Sequence, residues 1–269
     1  MAYWKNKACL VTGGSAGFGL ELGRALADVG ARVMLVARRA EPLAAAVDEL
    51  RRSGGEAVGE AADVTRQDDV DRVVARAVEQ FGQLDLVCNC AGRSTRGAIL
   101  DTTPEEFQQL LDVNFLATVR VARAAAPHLI ARRGHLVNIG SLASKVAPRY
   151  LGAYPAGKFA MAAYTQQLRL ELGDQGLHVM LVCPGPIRGD RTGPRYDGAG
   201  GRVPEAARAP AGGARVSTID PARLAAAILR GCERRQPELV VPGKARLLFA
   251  VSQLSASWGD WLLGQFMRS

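Results

Sequence analysis

No run of 18 consecutive apolar residues occurs in the 269-residue chain, so no transmembrane helix is expected. The first seven residues, Met1 to Lys7, carry no apolar signal-peptide core, which points to a cytoplasmic protein. Histidine is scarce. His128, His135 and His178 fall late in a helix or at strand starts, and no Ser/His/Asp order suggests hydrolysis, so structural or surface roles are expected for them. The cysteines are Cys9, Cys88, Cys90, Cys183 and Cys232. Their number is odd, no CxxC pair exists, and no Cys/His group has metal-ligand spacing. Buried free thiols in a reducing compartment fit this pattern, four of them in apolar runs that read as strands, and no metal is expected. Internal repeats and a linker to a second domain are also absent. The formal charge of +8 comes from arginines scattered along the chain rather than gathered in one stripe. That fits a solvated basic surface and gives no footprint for nucleic acid, while an anionic ligand such as a phosphorylated cofactor would suit it.

What remains is an alternation of strand-like and helix-like segments, the pattern of an α/β domain with a parallel sheet. Ala8–Thr12, Arg32–Ala37, Glu56–Ala62, Leu84–Cys90, His135–Gly140, Leu177–Cys183 and Glu238–Val241 read as strands. Gly19–Gly30, Glu41–Ser53, Asp68–Phe81 and Tyr154–Leu172 read as helices, and Pro104–Arg133 as a long helix broken near Asp112–Asn114. Asp220-Pro221 supplies an N-cap and a proline at the first helical position for a helix to about Cys232. The expected organisation is one domain over residues 1–243, with a Gly-, Ala-, Pro- and Arg-rich lid or binding loop at 188–217, and an amphipathic extension over 244–269.

The turn after the first strand reads Thr12-Gly13-Gly14-Ser15-Ala16-Gly17-Phe18-Gly19. Glycines there permit a tight turn and let backbone approach a pyrophosphate at a helix N-terminus, although a turn that only packs helix on strand would look similar. The second strand runs into Arg38-Arg39 without the acid that would hold a ribose 2′-hydroxyl. An arginine grips a 2′-phosphate that an acid would repel, so NADPH/NADP+ is expected over NADH, with Arg38 the main contact and Arg39 beside it.

Tyr154 and Lys158 lie four residues apart, about one helical turn, so both project from one face. An ammonium beside a phenol favours the phenolate and draws its pKa down from about 10. The phenol can then exchange a proton with a carbonyl or an alcohol. With a dinucleotide seat upstream, the chemistry expected is hydride transfer.

From Ala8 to Thr192 the chain resembles the short-chain dehydrogenase/reductase family. The TGxxxGxG turn supplies Gly13, Ser15, Gly17, Phe18 and Gly19; Asp63-Val64 stands where the family places its adenine contact; and Asn89-Cys90-Ala91-Gly92 is similar to the family's NNAG segment with cysteine at the second position. Asn114, Ser141, Tyr154 and Lys158 match the family's catalytic set in order and spacing, and Pro184-Gly185-Pro186-Ile187 resembles the loop beside the nicotinamide. The resemblance implies a doubly wound, Rossmann-like sheet of order 3-2-1-4-5-6-7 with helices on both faces. It implies Tyr154 as general acid/base, Lys158 lowering its pKa and holding the nicotinamide ribose, Ser141 orienting the carbonyl, and Asn114 holding a water. Asn89, Ala91, Gly92, Pro184, Gly185, Ile187 and Thr192 would line the cofactor, Thr192 displaced from the usual threonine position now held by Gly189. Pro155 directly after Tyr154 is a further departure.

The function expected is interconversion of a ketone or aldehyde with an alcohol on a mostly apolar substrate, with a catalytically silent cofactor-binding regulator of the same fold as the alternative. The residues after Ser141, Leu142 to Leu151, would form one wall of the substrate site. Apolar positions on Pro104–Arg133 and Tyr154–Leu172, paired across a two-fold in the family, imply a homodimer or homotetramer. Leu247, Leu248, Val251, Leu254, Trp258, Trp261, Leu262 and Phe266 recur at helical spacing near the end. They are expected to pack on the domain or a partner subunit, with peripheral membrane contact through 244–268 as the alternative.

Overall fold

The computed structural model describes residues 3–189 and 217–266. Seven parallel strands form one sheet in the order β3-β2-β1-β4-β5-β6-β7. They are β1 Ala8–Thr12, β2 Arg32–Ala37, β3 Glu56–Ala61, β4 Leu86–Asn89, β5 His135–Ile139, β6 His178–Pro184 and β7 Glu238–Val241. The helices are α1 Gly17–Asp28, α2 Ala40–Arg52, α3 Gln67–Phe81, α4 Pro104–Leu111, α5 Ala117–Ala131, α6 Tyr154–Leu172, α7 Pro221–Glu233, α8 Ala245–Leu254 and α9 Ala256–Phe266.

Side chains of a strand alternate between faces, and both faces here are apolar. Cys9, Val11, Val33, Leu35, Leu86 and Cys88 turn towards α1, α2 and α7, whereas Ala8, Leu10, Met34, Val36, Val87 and Leu136 turn towards α3 and α5. A third cluster joins Val146, Leu181, Cys183 and Val240 to Phe249, with Leu142, Leu248 and Leu263 at its edge. Thus the inner side of the C-terminal helices packs behind the segment that follows β5.

Several element boundaries differ from the sequence reading. α1 begins at Gly17 rather than Gly19, with Ala16 as an extended N-cap. β4 stops at Asn89, because the Cys90 and Ala91 N–H groups turn out of the ladder to donate to Thr12 Oγ1, both at 3.1 Å. Cys90 is therefore half-buried outside the sheet. Cys9, Cys88 and Cys183 lie in strands and Cys232 in α7, so three cysteines rather than four occupy strands. The break expected at Asp112–Asn114 is a π-helical turn, Asp112–Leu116. The amphipathic tail is two helices, broken at the extended Ser255, with Gly259 of α9 pressed against Ser252 of α8.

At the N-terminal ends of the strands the fold assembles a polar chain, buried at its two histidines, that linear spacing hides. Tyr3 Oη lies 2.7 Å from His135 Nε2, His135 Nδ1 lies 2.9 Å from His178 Nδ1, and His178 Nε2 lies 2.8 Å from the Gln236 carbonyl. A carbonyl only accepts, so His178 Nε2–H donates and His178 Nδ1 accepts; His135 Nδ1–H then donates, and His135 Nε2 accepts from the Tyr3 hydroxyl. Cys232 closes the group, with one donor atom from each of His135, His178 and Cys232 lying within 4.8 Å of the others. The ring nitrogens are all taken by these hydrogen bonds. Beside them Trp4 is buried and donates from Nε1 to Glu233 at 2.8 Å.

Candidate active site

In a parallel sheet every strand ends on the same rim, and the strand order reverses between β1 and β4. That switch point opens a crevice at the carboxyl ends. Thr12 aligns with Val36 of β2 and Asn89 of β4, Asn89 with Asn138, and Ile139 with Val182.

The glycine turn lies at this crevice. Gly13 (φ +68°) and Gly17 (φ +58°) occupy the left-handed region that glycine tolerates. A Cβ on Gly13 would sit 3.0 Å from Ala91 backbone, and one on Gly19 would sit 2.3 Å from the Gly13 carbonyl oxygen. α1 therefore starts hard against the turn, and Ala16 caps it without a side-chain hydrogen bond. No acidic residue stands in the first turn of α1. Backbone N–H groups at the helix start remain for an anion, the geometry a pyrophosphate needs. Ser15 and Phe18 are half-buried in the same turn.

Arg38 and Arg39 follow β2 as exposed residues and form no ion pair among the described residues. Asp63 follows β3, its Oδ1 accepting from Thr65 N–H and Oγ1–H, with Val64 buried beside it. Asn89 Nδ2 donates to Asn138 Oδ1, and Asn138 Nδ2 donates to Thr165 Oγ1, which donates to the Met161 carbonyl. This buried ladder ties β4 and β5 to α6. Thr12, Asn138 and Thr165 were missed in the sequence reading; only the threonine opening the TGxxxGxG turn carried a signal.

Asn114, fully buried in the π-helical turn, grips the backbone after Gly92: Oδ1 accepts from Arg93 N–H at 2.9 Å and Nδ2 donates to the Arg93 carbonyl at 2.8 Å. A Cβ on Gly92 would meet Asn114 Oδ1 at 2.8 Å and Lys158 Nζ at 3.7 Å, so glycine lets both side chains approach this backbone. Lys158 is 5 % exposed and donates to the Ile139 carbonyl at 2.8 Å. Burial draws its pKa down to about 8. Its Nζ lies 5.9 Å from the Tyr154 ring centre. Tyr154 opens α6, which places Pro155 in the first turn where a missing N–H is tolerated.

Ser141 follows β5, accepts from Ala143 N–H through Oγ, and donates its own N–H to Ser144 Oγ, both at 3.1 Å. The resulting 3-10 turn, Leu142–Ser144, packs against α6. Cys90 has its thiol pushed up to about 12 by burial, with the nearby Lys158 cation acting in the opposite direction. Pro184 ends β6, Gly185 N–H donates to the Val241 carbonyl, and Ile187 bridges Ile219. Thr192 and most of the loop expected at 188–217 lie outside the described residues.

The family model for short chain dehydrogenase matches residues 7–199. The chain belongs to the short chain dehydrogenase family. It is 36% identical over 187 residues to an uncharacterized oxidoreductase of Bacillus subtilis (strain 168), a match over 68% of this chain and 52% of the relative, so it spans about half of that protein's length. It is 31% identical to dehydrogenase/reductase SDR family member 7B of Danio rerio, over 89% of this chain and 78% of the relative. Among solved structures, a metagenomic short-chain oxidoreductase in complex with NADP has a TM-score of 0.71 at 30% identity, covering 88% of this chain and 97% of that one. A variant of actinorhodin polyketide ketoreductase with NADPH has a TM-score of 0.74 at 29% identity, covering 90% and 97%. A Burkholderia phymatum family member in complex with NAD has a TM-score of 0.84 at 22% identity, covering 96% of each chain, a likeness of fold.

Proposed function

We propose that the chain is an NADP(H)-dependent oxidoreductase that interconverts a ketone or aldehyde with an alcohol, with Tyr154 as general acid/base. The observation that carries this reading is the buried Lys158 cation, one helical turn from Tyr154 and across Gly92 from Asn114, at the switch point of the sheet. A dinucleotide fits the residues present: Cβ atoms on Gly13, Gly14 and Gly19 would clash at the turn, the space beside Gly17 is open, and the start of α1 has unspent N–H groups. Arg38 and Arg39, exposed and without an ion pair among the described residues, favour a 2′-phosphate. Relatives of the fold solved with NADP and NADPH support that choice, while one solved with NAD shows that the fold alone does not dictate it. Gly13, Ser15, Gly17, Phe18 and Gly19 would hold the pyrophosphate, Asp63 and Val64 the adenine, and Asn89, Ala91, Gly92, Pro184, Gly185, Ile187 and Thr192 the rest.

When bound, a nicotinamide supplies or takes up the hydride at the substrate carbon. In reduction the Tyr154 hydroxyl gives its proton to the carbonyl oxygen as it becomes an alcohol. Lys158 stabilises the phenolate left behind. Ser141 hydrogen-bonds the same oxygen. The Asn114 amide is engaged by Arg93, so its role in this reading is to fix the Gly92–Arg93 backbone against Lys158. Leu142 and Val146 after Ser141, packed with Phe249, support an apolar substrate. Leu116, Phe159 and Leu170, exposed on the π-helical turn and α6, support association of two copies.

The test is cofactor oxidation across ketones and aldehydes of increasing chain length, with NADPH and with NADH, in wild type and Tyr154→Phe. Turnover with NADPH that falls by about 10²-fold or more in the variant, with cofactor binding retained, is the expected result. Tight NADPH binding with no turnover on any substrate would favour the silent regulator instead.

A further inference from the structure

The C-terminal helices have two unlike sides. Inward, Leu248, Phe249 and Leu263 pack behind the substrate wall. Outward, Leu247, Leu254, Trp258 and Trp261 are 72, 83, 68 and 63% exposed. Leu247 and Leu254 stand two turns apart on one face of α8, and Trp258 and Trp261 one turn apart on α9. The Gly259 contact with Ser252 holds the two helices as a hairpin, so the four side chains belong to one rigid unit. Four large apolar groups left in water on two packed helices call for an occupant.

The chemistry of these groups separates two occupants. Tryptophan combines an apolar body with one N–H donor and is favoured where hydrocarbon meets water. Lys244 and Arg246, both exposed, stand at the start of α8, and Asp260 is the single acid between residues 244 and 266, on a chain of net charge +8. A basic, tryptophan-bearing amphipathic hairpin complements an anionic lipid surface. A second copy has a separate apolar face to use, through Leu116, Phe159 and Leu170, which carries no tryptophan. We propose that the outer face of the α8–α9 hairpin rests on the interface of an anionic lipid bilayer, with Trp258 and Trp261 as its anchors. The hairpin then holds the wall of the substrate site close to the lipid. The docking does not depend on the oxidoreductase reading, because binding is read without turnover.

The chain carries its own probe. Of its three tryptophans, Trp4 is 1% exposed and hydrogen-bonded to Glu233, so a change in emission on binding comes from Trp258 and Trp261. The full chain is mixed with phosphatidylcholine vesicles with and without phosphatidylglycerol, some labelled with bromine on the acyl chains. The expected result is a blue shift, quenching by the bromolipid and co-sedimentation, all stronger with phosphatidylglycerol and weakened by salt. Trp258→Ser with Trp261→Ser is expected to weaken partitioning by at least about tenfold, whereas Leu170→Ser on α6 leaves it unchanged. The proposal is overturned by an absence of shift and quenching, or by equal binding with and without phosphatidylglycerol. It is also overturned if tryptophan emission is already blue in vesicle-free protein and moves to the red on dilution, since that would assign the face to a second copy.

Discussion

Lys158 shows most directly how one residue can serve chemistry at the expense of stability. An unfolded lysine titrates near 10.5, whereas the buried Lys158 titrates near 8. Between those values the unfolded chain binds more protons, so stability rises with pH across that window, and the cost of burying the cation is present in full below about pH 8. Part of this is offset by the bond to the Ile139 carbonyl. Lys158→Met is therefore expected to raise the unfolding free energy at pH 7 by about 2 kcal/mol while abolishing turnover. Urea unfolding at pH 7 and pH 10 checks this: the gain should shrink at the higher pH, and a variant less stable than wild type at pH 7 would contradict it. At this scale the sequence was informative where spacing alone carries the message. Tyr154 and Lys158 share a face because a helix repeats every 3.6 residues, but nothing local to Asn138 or Thr165 shows that they meet 27 residues apart.

At the scale of elements, boundaries moved where side chains compete with the backbone ladder. Thr12 Oγ1 draws Cys90 and Ala91 out of β4, and a glycine-dependent contact lets α1 start two residues early. The first acts across 78 residues and the second within the turn, and neither is carried by apolar periodicity, which placed the elements but not their ends. The same contact makes a prediction. Gly19→Ala puts a methyl 2.3 Å from the Gly13 carbonyl oxygen, a backbone atom that cannot step aside without moving the turn. The expected cost is about 1–3 kcal/mol of stability, together with weaker NADPH binding, read by thermal unfolding with and without cofactor. Retention of wild-type affinity would show that α1 shifts freely and that the turn is not the cofactor's seat. The tail taught the opposite lesson: one run of apolar residues at helical spacing became two helices facing two ways, because Ser255 is extended and Gly259 closes the hairpin.

For the molecule as a whole, the sheet order implied by the family resemblance is the one observed, while the histidine chain beneath the sheet was legible only once the strands were paired. Burial, the neighbouring histidine and the charges of Arg235 and Lys7 hold His135 at about 3; burial also draws His178 below its ordinary range. An unfolded histidine titrates near 6.5. Below that pH the unfolded chain binds more protons than the folded one, so stability is lost as pH falls through about 6.5 and on towards 3. From pH 7 to pH 5 the loss expected from this pair is about 2–4 kcal/mol. His135→Gln with His178→Gln should start from a lower stability at pH 7 and show a flatter dependence, which urea titrations at several pH values would reveal. An identical slope in variant and wild type would place the acid sensitivity in the carboxylates.

The common direction of the strands has a consequence for how such a chain can change. Every loop on the working rim is an insertion point reached without crossing the sheet, and the strand order assigns those loops in two blocks. The residues proposed for the adenosine half of the cofactor precede β4, and those proposed for the substrate follow β5. A single recombination event within α5 would then exchange substrate choice as a unit while leaving the nucleotide preference inherited intact.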